Sequence, residues 1–387
     1  MTTLDLIPAS TEDYRRLAER RLPRVLFDYI DGGAYNEATL RANVADFAAL
    51  KVAQRVMRDV SALDTSVDLF GERWTMPMGL APIGMAGMMS RRAEARAVEV
   101  AQEFGVPFCL STMSVCSLEE VAKAAKRPFW FQLYMIRDRG AVENLLQRAR
   151  SAGVDTLVFT VDLAVLGARY RDIRNGRSAR AGLWAKLRGG AISYALHPQW
   201  AYDVAVKGKP FTFGNLTEYV PNATAPSDFS QWAEQQMDAS VTWKDIEWLR
   251  SIWPGKLIIK GVLSPDDAHS AARCGADGVV VSNHGGRQLD GVSSTIAMLP
   301  RIVGAAGDKT AVLIDGGVRS GLDVMRAVAL GAKAALIGRA WIWAMAAQGP
   351  AGLKALLATM HGEIKVAMAL TGARRIGDID ASAIDRG

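Results

Sequence analysis

Val280-Val281-Ser282-Asn283-His284-Gly285-Gly286-Arg287-Gln288-Leu289-Asp290 sets a base, a guanidinium and two glycines directly behind an apolar run. A buried strand hands reactive groups to a pocket in this way. His284 can take a proton near neutral pH, and Arg287, three residues on, can hold a carboxylate through a two-pronged hydrogen bond. A guest carrying both an ionisable hydroxyl and a carboxylate suits the pair.

The same unit, an apolar run closed by a small or polar residue and followed by a helix-like segment, recurs along the chain. Eight runs read as strands: Pro77–Pro82, Pro107–Thr112, Pro128–Leu133, Thr156–Val161, Lys256–Lys260, Gly278–Ser282, Ala311–Asp315 and Ala334–Gly338. Between them Arg91–Phe104, Leu118–Lys126, Ala141–Ala152, Pro265–Cys274 and Gly321–Leu330 have the content and spacing of amphipathic helices. Eight βα units predict an α/β fold closed as a (β/α)8 TIM barrel. A doubly wound open sheet binding a dinucleotide would want GxGxxG between its first strand and helix, and no strand here is followed by one.

The strand ends carry Ala81-Pro82, Ser111-Thr112, Gln132 with Tyr134, Thr160 with Asp162, Lys260, His284 with Arg287, Asp315 with Arg319, and Gly338-Arg339. In barrels that C-terminal face is where chemistry is done. Asp315-Gly316-Gly317-Val318-Arg319 after the seventh strand and Gly338-Arg339 after the eighth bring glycine-freed amides and two arginines to one corner. That is a phosphate grip.

With 387 residues, half of them apolar, the chain can bury a sizeable core, and the whole of 1–387 reads as one barrel domain. Residues 1–60 read as helical decoration, with helices over Thr11–Arg21 and Pro23–Asp31. Residues 170–240 are too long for an ordinary connection, so 176–240 reads as an insert after the fourth strand. The net charge of +6 is mild for this length, and no long basic run interleaved with stacking aromatics argues for nucleic acid. Cys109, Cys116 and Cys274 lack CxxC spacing, and the four histidines lie far apart, so no metal site and a reducing compartment are expected. Met1–Ser10 lacks a signal-peptide pattern, and no apolar stretch reaches the roughly 20 residues of a membrane span.

From about Tyr14 to Asp380 the chain resembles the FMN-dependent L-2-hydroxy-acid dehydrogenase and oxidase family, especially its bacterial respiratory, lactate-oxidising members. The resemblance is carried by Phe27-Asp28-Tyr29 with Gly32-Gly33-Ala34, Leu80-Ala81-Pro82, Phe131-Gln132-Leu133-Tyr134, Thr160-Val161-Asp162, Gly167-Ala168-Arg169, Ile259-Lys260-Gly261, the SNHGGRQLDG run, Asp315-Gly316-Gly317-Val318-Arg319 and Gly338-Arg339. The SNHGGRQLD match is very specific, whereas Asp-Gly-Gly or Gly-Arg alone would be weak.

The resemblance implies FMN across the barrel mouth, its phosphate at Gly317, Arg319, Gly338 and Arg339. The ring would meet Ala81, Pro82, Ile83, Gly84, Ser111, Gln132 and Thr160, with Ser282, Asp315 and Gly316 also in the cofactor site. Lys260 would stand by the flavin N1–C2 edge, where a cation favours the reduced ring. His284 would take the hydroxyl proton as hydride leaves, or the α-proton in a carbanion route, held by Asp162. Arg169 and Arg287 would clamp the carboxylate. Tyr29 would bond the carboxylate, Tyr134 the reacting oxygen, and Met113 would line the pocket. Met113, Ile83 and Gly84 depart from the tryptophan, threonine and alanine of the plant oxidases, which weighs against an oxidase.

Between Arg177 and Lys209, Arg177, Arg180, Lys186, Arg188, Lys207 and Lys209 face a single acid, Asp203, and interleave with Trp184, Leu187, Ile192, Tyr194, Leu196, Trp200 and Tyr202. Basic charge beside aromatic surface suits a membrane interface. Membrane-associated family members carry a similar insert, including a stretch like His197-Pro198-Gln199-Trp200. The implied assembly is a homotetramer on the cytoplasmic side of the bacterial inner membrane, peripheral, meeting lipid and a membrane quinone through 176–212. An active-site lid is the other reading of this loop.

L-lactate, oxidised to pyruvate, is the first substrate expectation. L-mandelate, giving benzoylformate, stays open because mandelate dehydrogenases share the insert and a stretch like Gln236-Met237-Asp238-Ala239-Ser240. Oxygen as acceptor with peroxide as product, a Schiff-base aldolase using Lys260, and a non-catalytic phosphate-ligand barrel are the remaining alternatives.

Overall fold

The computed structural model describes residues 7–175, 193–210, 212–220, 232, 235–307 and 309–385. Eight parallel strands form its centre: β1 (Met78–Leu80), β2 (Cys109–Ser111), β3 (Trp130–Leu133), β4 (Thr156–Thr160), β5 (Lys256–Val262), β6 (Gly278–Val281), β7 (Ala311–Asp315) and β8 (Ala334–Ile337). They pair in chain order, and β8 returns to β1. A bridge between Leu80 and Phe108, with the Leu80 N–H donating to the Pro107 carbonyl at 2.9 Å, brings β1 to β2 and closes the ring. Each predicted strand is present to within two residues at either end.

Successive residues of a strand point to opposite faces, so position i and position i+2 share one face. Cys109, Trp130, Val158, Ile258, Val280 and Leu313 belong to one small apolar cluster inside the ring. Two residues further along each strand, the same face carries Ser111, Gln132, Thr160, Lys260, Ser282 and Asp315, all buried. The interior therefore changes from hydrocarbon to polar groups at the C-terminal ends. The outward faces, with Leu110, Phe131, Leu157, Phe159, Ile259, Val279, Val281, Val312 and Ile314, pack into the larger core under the helices.

The N-terminal end is stoppered by an antiparallel hairpin, Val67–Leu69 with Glu72–Trp74. Its Trp74 ring lies 5.5 Å from that of Trp130, and Phe70 lies 5.7 Å from Trp130, edge to face. Phe70 also fills the space beside Gly278, the first residue of β6.

Helix α1 (Thr11–Arg21) starts on a reciprocal cap between Ser10 and Asp13, and α2 (Arg24–Asp31) follows Pro23. A third helix, α3 (Ala38–Ala49), completes the segment read only as decoration. The barrel helices are α4 (Ala93–Glu103), α5 (Leu118–Ala124) and α6 (Arg139–Ser151), then α8 (Trp243–Ile252), α9 (Pro265–Arg273), α10 (Thr295–Ala306) and α11 (Gly321–Ala329). A short helix, α7 (Tyr170–Arg174), follows β4. After β8 comes α12 (Arg339–Thr371), interrupted at Gly349 (φ 64°, ψ −149°) before Pro350, and α1 packs along it.

The insert corrects part of the membrane-surface reading. Trp200 is buried, donates from Nε1 to the Met88 carbonyl at 2.9 Å, and is stacked by Tyr194 at 5.2 Å. Their rings fill the groove beside the loop after β1, so they anchor the insert to the barrel and do not face outward. Leu196, Tyr202 and Val206 are exposed, and the exposed Lys207 lies over the Tyr202 ring at 4.3 Å. Arg177, Arg180, Trp184, Lys186, Leu187, Arg188 and Ile192 lie outside the described residues.

Candidate active site

The loop after β6 turns on three successive left-handed residues, His284 (φ 56°), Gly285 (φ 63°) and Gly286 (φ 73°). A histidine in that region is strained. The strain is offset locally: the His284 N–H donates to Ser282 Oγ at 3.1 Å, and the Gly286 N–H donates to Asn283 Oδ1 at 3.1 Å. Asn283 is in turn locked to Asn43 of α3 by reciprocal amide bonds of 2.8 and 2.9 Å.

The imidazole so presented meets Asp162 Oδ1 through Nδ1 at 2.9 Å. That bond assigns Nδ1 as the protonated nitrogen of the neutral ring and leaves Nε2 as its acceptor. Burial pushes the imidazole below its ordinary value, with Lys260 and Arg169 adding to the fall, while the Asp162 carboxylate pulls it back up. Burial raises Asp162, yet His284 and Lys260 outweigh it and hold the carboxyl below its usual range. The pair therefore rests as neutral imidazole beside carboxylate near pH 7.

Lys260 ends the inward row of β5. Its Nζ stands 3.0 Å from Asp315 Oδ2 and 3.1 Å from Ser282 Oγ. Burial opposes the charge, but Asp315 and Asp162 prevail and raise the ammonium above its ordinary value. An amine held protonated is a poor Schiff-base nucleophile, so the aldolase alternative loses its support. A strand irregularity follows at Gly261 (φ 106°), where Asp162 approaches.

Arg287 and Arg169 converge with the two tyrosines. Arg287 Nη1 donates to the backbone oxygens of Tyr29 (2.5 Å) and Gly32 (3.0 Å), and its guanidinium lies 5.0 Å from the Tyr29 ring. Arg169 Nε donates to the Arg287 carbonyl at 3.4 Å. Burial and the neighbouring Arg169 depress Arg287 to about 10, still a cation at neutral pH. Tyr134 feels Asp162, Tyr29, Arg169 and Arg287 around it, and burial pushes its phenol well up, so it stays a proton donor. Gly84 lies against Met113 and the Tyr29 hydroxyl, where an added Cβ would stand 3.2 Å from Met113 Cβ.

At the other corner, Arg319 Nη1 donates to the Val318 carbonyl at 2.9 Å, and its guanidinium lies 5.0 Å from the Trp343 ring. Arg339 donates to the carbonyls of Asp31 (3.1 Å), Gly285 (2.9 Å) and Gly32 (2.8 Å). Burial lowers both guanidinium groups, Arg319 to about 10. Gly317 (φ 95°) allows the α3 backbone to close in, since a Cβ there would stand 2.0 Å from the Asn43 oxygen. Gly316 (φ 82°) precedes it, and Gly338 faces Ala81 across the β8–β1 seam. Trp341 Nε1 donates to the Ala81 carbonyl at 3.0 Å, fixing the loop that leads through Pro82 and Ile83.

Several polar atoms of this mouth are buried without a partner: Gln132 Nε2, Thr160 Oγ1, Asp162 Oδ2 and Asp315 Oδ1. Unpaired buried donors and acceptors are costly, and such a ring fits a planar ligand with hydrogen-bonding edges. Together with two buried arginines at a glycine-rich corner, it fits a flavin mononucleotide. No group of three or more His, Cys, Asp or Glu among the described residues could hold a metal ion.

The structure thus gathers the sequence-chosen residues at one mouth. Sequence reading missed Asn43, Arg15, Trp341 and Trp343, which act on that mouth through other groups. Asn43 alone had a visible signal, its partner Asn283 in the SNHGG run.

Residues 18–386 match the family model described as FMN-dependent dehydrogenase. The L-lactate dehydrogenase of Stenotrophomonas maltophilia (strain K279a) is 54% identical over 376 residues, 97% of each chain. That of Caulobacter vibrioides (strain NA1000 / CB15N) is 53% identical over 375 residues, with the same coverage. Among solved structures, the monotopic membrane protein (S)-mandelate dehydrogenase superposes with a TM-score of 0.92 at 34% identity, covering 99% of this chain and 100% of its own. A mandelate oxidase gives 0.83 at 36% identity, covering 98% of both. With a barrel, a mouth fitted to FMN and full-length likeness in agreement, the chain belongs to the FMN-dependent dehydrogenases, and FMN is its cofactor.

Proposed function

We propose that this enzyme oxidises an L-2-hydroxy acid to the 2-oxo acid, with L-lactate, giving pyruvate, as its substrate. The observation that carries the reading is the His284–Asp162 pair set beside two guanidiniums that have no carboxylate partner among the described residues. L-lactate is favoured over other acids because relatives of 51–54% identity along nearly their whole length bear that name.

FMN, when bound, supplies the two-electron acceptor for the α-hydrogen. Arg169 and Arg287 hold the substrate carboxylate, joined by the Tyr29 hydroxyl, and Tyr134 donates to the reacting oxygen. His284 Nε2 takes the hydroxyl proton, and the resulting imidazolium is stabilised by Asp162 at Nδ1. Lys260 would keep a positive charge beside the ring. Gln132 Nε2 and Thr160 Oγ1 would bond the ring edge, while Arg319 and Arg339 would hold the phosphate. Mixing the enzyme anaerobically with L-lactate, D-lactate and L-mandelate while following flavin absorbance tests cofactor, substrate and hand together. Bleaching by L-lactate alone supports the reading; bleaching by D-lactate, or by none of the three, sinks it.

The electrons pass, in this reading, to a membrane quinone, with the insert resting on lipid. No helix among the described residues is long and apolar enough to cross a membrane, so contact would be peripheral. The exposed Leu196, Tyr202 and Val206 beside Lys207 support it, as does likeness to a monotopic membrane protein. Deleting residues 178–212 should free the enzyme from membranes and spare turnover with a soluble dye; unchanged membrane partition would count against the idea. A second reading, L-mandelate as substrate, is favoured by the TM-score of 0.92 to (S)-mandelate dehydrogenase. Faster bleaching by L-mandelate than by L-lactate would select it.

A further inference from the structure

The arginines at the glycine-rich corner are stabilised without being neutralised. Arg339 rests on three backbone carbonyls, and Arg319 on one carbonyl and the face of Trp343. Carbonyl dipoles and a π face support a cation yet leave its charge available to an incoming anion. Among the described residues, neither arginine has a carboxylate partner.

Acids are nevertheless close by. Asp31, Glu37 and Asp28 crowd the end of α2, and the Asp31 backbone oxygen itself accepts from Arg339 at 3.1 Å. Each of these acids is engaged by another arginine. Arg171 reaches Glu37 at 2.7 Å, Asp31 at 2.8 Å and Asp28 at 3.5 Å. Arg15 takes both oxygens of Asp31, Nε to Oδ1 at 2.6 Å and Nη2 to Oδ2 at 2.9 Å. Two further acids lie near Arg319: Asp323 is held by Arg326 at 2.9 Å and accepts the Arg319 backbone N–H at 3.0 Å, and Glu12 is held by Arg15 at 3.2 Å and Arg16 at 3.7 Å.

Arg15 does a second thing. Its guanidinium lies 5.9 Å from the Trp343 ring and 5.6 Å from Phe27. Trp343 therefore meets both guanidiniums, that of Arg15 and that of Arg319. The same side chain that occupies Asp31 also backs the ring on which Arg319 lies.

We propose that Arg15 is a positioning residue for the phosphate end of the FMN site, holding Asp31 away from Arg319 and Arg339 so that their charge is reserved for the phosphate. This rests on the reading that those two arginines hold that phosphate. Without Arg15, Arg171 still holds Oδ2 of Asp31, but Oδ1 loses its partner, and the carboxylate, already within electrostatic reach of both arginines, offers that oxygen to them in competition with the anion.

The test compares the wild type with Arg15→Gln, Asp31→Asn, the double variant and Arg319→Gln, all in the full-length chain. FMN release from the holoenzyme is read as the recovery of free-flavin fluorescence, and riboflavin, which lacks the phosphate, is titrated in parallel. Arg15→Gln should weaken FMN about tenfold or more while leaving riboflavin unchanged. Adding Asp31→Asn should restore most of the FMN affinity, because the carboxylate freed nearest Arg339 is gone, while Asp323 stays held by Arg326 and Glu12 by Arg16. Asp31→Asn alone should bind FMN as tightly as the wild type or tighter, which keeps the idea testable if Arg15→Gln does not fold.

Equal loss of FMN and riboflavin, or a double variant as weak as Arg15→Gln, would reduce Arg15 to a structural prop. Weakening by Asp31→Asn alone would also overturn the proposal. If Arg319→Gln leaves FMN affinity untouched, the phosphate assignment fails and the proposal with it. If Arg319→Gln weakens FMN and Arg15→Gln does not, only the proposal fails.

Discussion

Gly261 and Asp162 share one space: a Cβ on Gly261 would stand 2.7 Å from the Asp162 Cγ, so the carboxylate that holds His284 sits where a side chain would otherwise be. Gly261 also carries a φ of 106°, which side chains rarely adopt. Gly261→Ala should cost about 1–3 kcal/mol of stability from backbone strain and, by shifting Asp162, lower turnover more than the stability loss accounts for. Thermal denaturation beside steady-state kinetics checks both; a stable variant with full activity would contradict the shared-space account.

His284→Gln keeps shape and polarity but cannot accept the proton. Flavin reduction should slow by roughly 10²–10⁴-fold with FMN retained, measured by stopped-flow absorbance. Near-normal reduction would remove His284 from the base role.

The pH dependence follows from the same pair. A base acts in its neutral form, and burial sets the His284 pKa below its ordinary value, so kcat/KM should be flat near pH 7 and fall only on acidification below about 6.5. Asp162 pulls that pKa upward, so Asp162→Asn should move the acid limb to still lower pH while lowering the plateau. An acid limb that moves upward in Asp162→Asn would show the sign to be wrong.

Arg287 meets two carbonyls through Nη1, so gripping a carboxylate as well calls for the other nitrogens of the planar fork, which a single ammonium does not have. Arg287→Lys should lower kcat/KM for the hydroxy acid by roughly 10–100-fold, with KM rising. An unchanged KM would leave the carboxylate to Arg169 alone.

On the insert, Leu196→Ser/Tyr202→Ser/Val206→Ser removes three exposed apolar groups and leaves the buried Trp200 in place. Partition onto anionic lipid vesicles should fall by about tenfold or more while dye-linked turnover persists. Equal sedimentation with vesicles would place the contact elsewhere.

The barrel was legible because each strand is a short apolar run with a polar or small residue at its end, and that residue lies two positions beyond an interior one. Ile258 followed by Lys260, and Leu313 followed by Asp315, are the clearest cases. Arg15 was not legible, since nothing in a helix sequence says that an arginine will engage Asp31, and for Asn43 only its partner in the SNHGG run gave a signal, the amide lying 240 residues from the loop it locks. Trp200 was misread for a related reason: an aromatic beside basic residues fits a lipid surface and an internal groove equally well. Only the groove beside Met88 decides between them.

The ring of Trp74, Trp130 and Phe70 closes the N-terminal end of the barrel, leaving the C-terminal mouth as the way in among the described residues. Acid, oxo acid, released proton and electron acceptor then share one rim. A shared mouth favours product leaving before the oxidant arrives, so initial-rate plots against the two substrates should be parallel lines; intersecting lines would show that the mouth holds both at once.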